Sequence, residues 1–337
     1  MSEILLDRAA YLHNLAQIAA KVGGADKIFL VAKDNSYGHG SRLCCEAAAS
    51  FGIDKAVVRT MSEAALIADL FGEILVLSHI PSGLEDERFC YAVNDLGYFA
   101  RLKRGAKIYI AVDTAMHRNG IDASELDEAL RLCKAGEFRL MGFFTHFRAS
   151  DELNGDFFAQ RQNFIEFKRL AGQKAVAAGF ENLKFHSSNS AAIERRAGFE
   201  DEYARVGMAQ FGYAQFDESL GLRRVLKLYA DLISSRVLKK GQRVGYGAKF
   251  EAPRDMKIGT YDLGYADGLL RYDGDGELVL PGGGRMLGKM SMDSFCAEFG
   301  GARICVLDDA RVWAKRFGTI EYEILVKLSS EIKRSWV

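Results

Sequence analysis

Short apolar runs alternate with longer amphipathic stretches over the first two thirds of the chain. The stretches between most runs have helical spacing and end at or near glycine, as the C-termini of helices commonly do. Apolar strands that alternate with helices indicate a parallel sheet covered by helices. Eight such units in about 210 residues are typical of a closed (β/α)₈ barrel, a fold of roughly 250 residues. The eight runs are KIFLVAK, DKAVV, EILVLSH, FCYAVND, KIYIAVD, LMGFFTHF, LKFHSSN and YARVGMA.

The pattern changes near residue 220. Beyond it, short strand-like runs are joined by turns rich in glycine and aspartate. The stretch Y-D-G-D-G-E predicts a β-hairpin. We therefore predict a barrel domain over residues 1–220, followed by an all-β, strand-rich C-terminal domain over residues 221–337.

Composition and charge narrow the class of partner. The 337 residues contain 45 basic and 45 acidic side chains, so the formal net charge is zero and neither nucleic acid nor an anionic membrane is favoured. No apolar run has the length of a membrane span, and the N-terminus lacks the pattern of a secretion signal. The six cysteines show no C-x-x-C spacing. These features predict a cytoplasmic protein without a metal site.

Charged and polar residues follow the predicted barrel strands at the points where the strands end. Any one of them could simply mark the end of a strand. In a barrel of this type, however, the C-terminal ends of the strands meet at the active site, so five such cases favour a shared site. They are Lys33 after the first strand, Arg118 after the fifth, His146 after the sixth, residues 186–190 (HSSNS) after the seventh, and Arg205 to Met208 after the eighth.

Two of these features together predict a cofactor. A lysine at a barrel mouth is partly shielded from water, and its amine can act as a base or form a Schiff base with an aldehyde. The segment HSSNSAA brings hydroxyl groups and backbone N–H groups to the start of a helix, a combination that binds phosphate. Loops after the seventh and eighth strands commonly hold phosphate in barrels. An amine and a phosphate seat in one barrel predict pyridoxal 5'-phosphate (PLP).

The segment VAKDNSYGHG resembles the PLP-lysine motif of the alanine racemase family. The resemblance covers nearly the whole chain in the family's order, through DTAMHRNGI, THFRASDE, HSSNSAA, RVGMAQFG, VGYGAKF, LGYADG and GKMSMD. It implies a PLP-binding barrel followed by a β-domain, and a homodimer with shared active sites. The implied reaction interconverts L-alanine and D-alanine by two bases and supplies D-alanine for peptidoglycan.

The resemblance also implies a role for each matched residue. Lys33 would hold the cofactor and act as the base on one face of the substrate Cα, and the partner subunit's Tyr246 would act on the opposite face. Two bases on opposite faces allow proton exchange without moving the substrate. Arg205 would face the pyridine nitrogen, which stays unprotonated because arginine keeps its proton. The remaining implied contacts are those of His146 beside the cofactor, of Tyr37, Ser190, Gly207 and Met208 with the phosphate, and of Arg118 and the Met292 backbone N–H with the substrate carboxylate.

Two positions depart from the family pattern. Ala111 stands where many members carry a carbamylated lysine that orients the substrate-binding arginine, so Arg118 must be held by other groups. Ser330 stands where some members use a tyrosine for phosphate, and the proline of that segment is missing. The chain is also shorter than many relatives. We expect a wider entrance and a less strict preference for alanine.

Two other functions remain open from the sequence. A non-catalytic PLP-binding barrel of cofactor homeostasis would end after the barrel, so the second domain and Tyr246 argue against it. The other is a relative that acts on different amino acids, such as a broad-specificity racemase or a decarboxylase of the same barrel type. Decarboxylases are longer and typically use a cysteine of the second domain, and neither Cys296 nor Cys305 lies in such a context.

Overall fold

The computed structural model describes residues 2–199 and 202–337. Strands occur along the whole chain. In chain order they are β1 (Glu3–Leu6), β2 (Ile28–Val31), β3 (Lys55–Val58), β4 (Glu73–Val76), β5 (Cys90–Val93), β6 (Lys107–Ala111), β7 (Arg139–Phe144), β8 (Lys184–Ser188), β9 (Tyr203–Val206), β10 (Leu226–Leu238), β11 (Arg243–Val244), β12 (Phe250–Glu251), β13 (Met256–Tyr261), β14 (Met286–Leu287), β15 (Phe295–Glu298), β16 (Arg303–Leu307) and β17 (Lys333–Trp336).

The helices surround some of these strands and connect others. They are α1 (Arg8–Val22), α2 (Lys33–Tyr37), α3 (Ser41–Phe51), α4 (Met61–Leu66), α5 (Leu126–Ala135), α6 (Asp156–Ala177), α7 (Ser190–Arg195), α8 (Ala310–Phe317) and α9 (Glu321–Val326). Short 3₁₀ helices occur at several turns, among them Met208–Phe211 and Tyr246–Ala248. Within residues 2–199 and 202–337, no helix combines the length and the apolar character needed to span a bilayer.

Strands β2 to β9 form a closed parallel barrel. Each of the eight apolar runs of the sequence overlaps one of these strands, so the predicted barrel is confirmed. The barrel closes where Ile28 of β2 lies opposite Ala204 of β9. Strands β2 and β3 are buried along their whole length, which explains their continuous apolar pattern.

The strand-rich unit contains the N-terminal segment up to Ala9, Asn35–Gly40 and Arg224–Val337. The other unit, with the barrel, contains Ala10–Asp34 and Ser41–Arg223. In the strand-rich unit the order is β14-β15-β13-β10-β1-β17, and β16 also pairs with β10. The unit is rich in strands, as predicted, and it also contains helices α8 and α9, which the sequence analysis did not assign.

The first strand of the chain, β1, was missing from the sequence analysis. It pairs antiparallel with β10, where Glu3 lies opposite Tyr229, and parallel with β17, where Glu3 lies opposite Lys333. Both partner strands are distant from β1 in sequence, so the local sequence pattern does not predict this strand. The boundary that we place between residues 220 and 221 stays a prediction.

The hairpin predicted at Y-D-G-D-G-E is wrong. Residues 272–277 form no strand pair. Lys249 Nζ donates a hydrogen bond of 2.9 Å to Asp275, so this acidic side chain is tied to another element of the unit. An antiparallel bridge forms further along the chain, between Val279 and Arg285. Asp-Gly pairs permit a tight turn, but they do not supply the alternating apolar flanks that a hairpin needs.

Candidate active site

Lys33 begins α2, directly after the first barrel strand. The next four residues, Asp34 to Tyr37, have φ angles of 51°, 55°, 50° and 52°. Each left-handed residue of this kind costs roughly 1–2 kcal/mol when it is not glycine. Such a turn persists only where its surroundings hold it, and strained backbone of this kind tends to cluster at functional sites. The chain reverses abruptly after Lys33, which keeps the lysine at the end of its strand.

Residues 35–40 belong to the strand-rich unit, and contacts inside that unit hold this part of the turn. The carbonyl oxygen of Gly38 accepts a hydrogen bond of 2.9 Å from Arg334 Nε. A Cβ atom on Gly38, whose φ is 80°, would overlap the carbonyl oxygen of Leu325. Tyr37 is buried, and its ring packs edge-on against Tyr322 with centroids 5.9 Å apart. The C-terminal segment of the chain therefore fixes the turn.

A cavity of about 330 Å³ lies at the C-terminal ends of the barrel strands. Four of the predicted site residues line it together: Lys33, Arg118, His146 and Arg205. Apolar and neutral polar side chains complete the wall, among them Phe144, Thr145 and Asn94. The barrel thus joins residues that are separated in sequence, as the argument from strand ends expected.

Arg205 is buried at the floor of this cavity. Its Nη1 donates to the Nδ1 atom of His186 at 2.9 Å and to the His186 carbonyl oxygen at 2.8 Å. Its Nη2 donates to the carbonyl oxygen of Thr145 at 2.6 Å. Because arginine can only donate, His186 Nδ1 must accept, and the proton of the neutral ring is on Nε2. Burial lowers the pKa of His186 far below its usual value, which agrees with this neutral form.

His146 is also neutral at ordinary pH. Burial is the largest cause that lowers its pKa to about 3, and the charges of Arg205, Arg118 and Lys33 act in the same direction. Its Nδ1 atom lies 3.5 Å from Nη2 of Arg205. The ring can therefore accept one hydrogen bond and donate another.

Arg118 lies in the loop that follows β6. Its side chain makes no hydrogen bond or ion pair with any residue in the described part of the chain. The loop itself is ordered by Asp113, whose carboxylate accepts the backbone N–H groups of Ala115, Met116 and His117 at 2.8, 2.9 and 3.1 Å. The guanidinium is therefore available to an anionic ligand.

Ser190, Gly207 and Met208 lie close together where β8 and β9 end. Ser190 Oγ accepts the backbone N–H groups of Gly207 at 3.1 Å and of Ala209 at 3.2 Å. Because the oxygen accepts both bonds, the hydroxyl hydrogen is left to donate. Met208 is fully buried at the start of the 3₁₀ helix Met208–Phe211. These three residues were all predicted as phosphate contacts, and the structure places them together.

Tyr246 and Met292 belong to the strand-rich unit, and neither lines the 330 Å³ cavity. Tyr246 is the first residue of the 3₁₀ helix Tyr246–Ala248. It is flanked by Gly245 and Gly247, whose φ angles are 76° and 69°. The side chain of Tyr246 is 65% exposed and that of Met292 is 54% exposed. Two large side chains of this unit are thus largely exposed.

Some residues of the site were not assigned from the sequence. Asn94 and Thr145 line the cavity, and His186 orients Arg205. His186 is the first residue of HSSNS, which the rule of strand ends already included, but its contact with Arg205 was not predicted. Asn94 directly follows β5, so the same rule could have found it. The role of Thr145 depends on contacts that no local pattern indicates.

Comparisons with known proteins identify the family. The family model for the alanine racemase N-terminal domain matches residues 6–215, and that for the C-terminal domain matches residues 225–336. The chain is 55% identical to the alanine racemase of Campylobacter curvus over 337 residues, all of both chains. Among solved structures, the Bacillus anthracis alanine racemase with bound L-Ala-P has 26% identity and a TM-score of 0.88, covering 100% of this chain and 95% of that one.

A more distant structure supports the fold alone. The alanine racemase from Bartonella henselae, with covalently bound pyridoxal phosphate, is 22% identical with a TM-score of 0.82, and the match covers 100% of this chain and 99% of that one. The matches to both family domains and the 55% identity to the Campylobacter curvus enzyme over its full length confirm the family resemblance that the sequence motifs predicted. This chain belongs to the alanine racemase family.

Proposed function

We propose that this protein interconverts L-alanine and D-alanine with PLP held through Lys33. The observation that carries the proposal is the single cavity lined by an amine, a neutral imidazole and two guanidinium groups: Lys33, His146, Arg118 and Arg205. An amino acid bound there would meet a base and a carboxylate partner in one space.

The donors of the barrel mouth fit PLP. The amine of Lys33 suits an aldehyde, and the Ser190 hydroxyl suits a phosphate because two backbone N–H groups already occupy its oxygen. Arg205 is held by neutral acceptors and keeps its proton, so it would donate to the pyridine nitrogen. When bound, PLP makes the Cα–H bond of an attached amino acid more acidic. Tyr37, Gly207 and Met208 would complete the phosphate seat.

The protein's own groups then determine what happens to the proton. Lys33 would remove or return it on one face of Cα, and the partner subunit's Tyr246 would do so on the other. Arg118 would hold the substrate carboxylate, helped by the backbone N–H of Met292. Bidentate arginine–carboxylate pairing fixes both position and orientation, which is what two opposed bases require. His146 would lie beside the cofactor as a neutral partner.

The wider setting is part of the same proposal. A homodimer with shared active sites would bring the exposed Tyr246 and Met292 to the barrel mouth of the other subunit. A cytoplasmic enzyme of this kind would supply D-alanine for peptidoglycan. A purely cofactor-binding barrel is disfavoured because the chain matches both family domains rather than the barrel alone.

The test compares two variants that remove the two bases. We expect Lys33→Ala to lose the visible absorbance of bound PLP together with activity. Tyr246→Phe should keep that absorbance and lose turnover, mostly in the direction whose proton the phenol removes. Tyr229→Phe is the matched control, because Tyr229 lies on β10 of the same unit and packs against Arg303. Normal racemisation by Tyr246→Phe would overturn the two-base assignment.

The substrate preference needs a separate measurement. The departures at Ala111 and Ser330 lead us to propose a less strict preference for alanine. Initial rates with alanine and serine, followed by the loss of optical rotation, would test this. A strict preference for alanine would remove the hypothesis and leave the racemase proposal intact.

A further inference from the structure

We propose that a polar stripe on α6, acting through Arg148, positions the substrate-binding Arg118. The stripe consists of Asp156, Gln160 and Asn163 and is called the α6 stripe below. The inference rests on the proposed function, because it takes Arg118 as the residue that binds the substrate carboxylate. Arg148 and the α6 stripe are positioning residues, since none of them lines the active-site cavity.

The spacing of the α6 stripe places its members on one face of the helix. Residues four and three positions apart in a helix are neighbours on its surface. That face is otherwise apolar and aromatic, with Phe157, Phe164 and Phe167 buried. Gln160 lies in the middle of it and is only 1% exposed. A buried amide in aromatic surroundings is costly unless it is hydrogen-bonded, so its partners show what it holds.

One set of partners is the segment after β7. Gln160 Oε1 accepts the backbone N–H of Arg148 at 2.8 Å, and its Nε2 lies 3.5 Å from the carbonyl oxygen of His146. The carboxylate of Asp156 accepts from Nε of Arg148 at 2.8 Å and lies 2.6 Å from Nη2. The backbone and the guanidinium of Arg148 are thus both fixed by α6.

The other set of partners is the loop that carries Arg118. Arg148 Nη1 donates to the carbonyl oxygen of Ala115 at 2.8 Å. Asn163 Nδ2 donates to the carbonyl oxygen of Thr114 at 3.3 Å. The α6 stripe therefore connects the segment that bears His146 with the loop that bears Arg118.

This loop needs such support. Ala115 and His117 have φ angles of 96° and 57°, a left-handed backbone that non-glycine residues adopt only where neighbours impose it. Asp113 ties the loop to itself, and Thr114 Oγ1 lies 2.7 Å from Thr145 Oγ1. Arg148 and Asn163 add the bonds to the carbonyl oxygens of Ala115 and Thr114. Ala111 of β6 offers just a methyl group at the cavity. Since Arg118 has no side-chain partner in residues 2–199 and 202–337, its position follows the loop.

The ion pair of Arg148 with Asp156 is about half exposed, and on its own it would add little to stability. Its effect is on position. Without Arg148 the carbonyl oxygen of Ala115 loses its donor, and the loop can place Arg118 in more than one way. A misplaced binding group weakens ligand binding even when the fold is intact.

The experiment uses the full-length protein loaded with PLP and compares Arg148→Ala with Arg148→Lys. We expect Arg148→Ala to raise the KM for alanine about tenfold, the effect of losing one hydrogen bond from a charged donor. The kcat should change by less than about twofold, because substrate and transition state both need the carboxylate held. Arg148→Lys keeps one donor for Ala115 and should recover part of the loss. Asn163→Ala, which removes the second tie, should act in the same direction.

Two ligands distinguish positioning of Arg118 from a general disturbance. Propionate keeps the carboxylate of alanine and lacks the amine, whereas ethylamine keeps the amine and lacks the carboxylate. In Arg148→Ala the inhibition constant of propionate should rise with the KM, while that of ethylamine should stay unchanged. Arg131→Ala is the matched control, because Arg131 makes a similar exposed pair with Glu128 on α5.

The outcomes separate this inference from the function on which it rests. If Arg148→Ala binds PLP with a normal absorbance spectrum and shows an unchanged KM and propionate constant, the positioning role is wrong and the racemase stands. An equal loss of propionate and ethylamine binding would also overturn it. If the unaltered protein neither racemises alanine nor binds PLP, the proposed function fails and takes this inference with it.

Discussion

The two ends of the barrel differ in the partners of their positively charged side chains. At the N-terminal end of the strands, Lys184 Nζ lies 2.6 Å from a carboxylate oxygen of Glu73, and the Tyr109 hydroxyl donates to the same carboxylate. Lys55, 7% exposed, donates to Asp54 at 2.5 Å. Both of these lysines have an acidic partner, so their charges are compensated where the strands begin.

At the C-terminal end, three cations line one cavity: Lys33, Arg118 and Arg205. Arg205 donates to His186 and to the carbonyl oxygen of Thr145, which are neutral acceptors. Arg118 has no partner in residues 2–199 and 202–337. Lys33 lies 3.9 Å from Asp34, a longer separation than that of the ion pairs at the other end.

This contrast suggests that one end of the barrel stabilises the fold and that the other end binds ligands. Paired charges in a half-buried setting hold strands together, and removing one partner is costly. At the mouth, burial and then the charges of Arg205, Arg118 and Lys33 lower the pKa of His146, so a further positive charge is repelled there. An anionic cofactor and a substrate carboxylate would relieve that repulsion. Variants of the two ends should therefore separate stability from activity.

The largest effect on stability is expected at the N-terminal end. Glu73→Ala leaves the ammonium of Lys184 and the hydroxyl of Tyr109 without their carboxylate, and the free energy of unfolding should fall by about 3 kcal/mol. The KM and kcat for alanine should stay near those of the unaltered protein. Urea denaturation and initial rates measure both.

Glu128→Ala removes an exposed carboxylate from a pair with Arg131 and is the control. It should cost less than about 0.5 kcal/mol. If Glu73→Ala instead impaired catalysis and spared stability, the two ends of the barrel would not divide the work in this way.

A medium effect is expected from pH at the mouth. The pKa of His146 is lowered to about 3 in the folded state, so between pH 6.5 and 3 the unfolded chain binds more protons at this position. This contribution to stability is complete above pH 6.5 and is lost as the pH falls. From pH 7.5 to 5.0 it amounts to about 2 kcal/mol. Urea midpoints at both values should show the loss, and His146→Asn should reduce the slope with pH.

Gln162→Asn is the control for that measurement, because Gln162 is exposed on α6 and carries no titratable group. Its variant should keep the slope of the unaltered protein. An unchanged slope in His146→Asn would show that the ring is not held neutral by the barrel mouth.

The local pattern of apolar and polar residues was enough to predict much of the fold. The eight barrel strands could be found because each is buried along an apolar run, and strand ends then identified Lys33, Arg118, His146 and Arg205. The roles of Tyr246 and Met292 came from family resemblance alone, since an exposed tyrosine or methionine has no chemical signature of its own.

The rest depends on contacts between distant parts of the chain. Strand β1 exists because of partners near residues 229 and 333. The left-handed turn after Lys33 persists because Arg334 and Leu325 meet Gly38. The tie from Arg148 to Ala115 joins two barrel loops. These long-range contacts leave no periodic pattern in the sequence, so they cannot be predicted from any single segment.

The smallest effect on stability is expected at the mouth itself. Arg118→Gln removes a cation that has no structural partner in the described residues, so the free energy of unfolding should change by less than about 0.5 kcal/mol. The KM for alanine should nevertheless rise strongly. A loss of more than about 1 kcal/mol would mean that the guanidinium holds the fold, and the contrast between the two barrel ends would then fail at its clearest point.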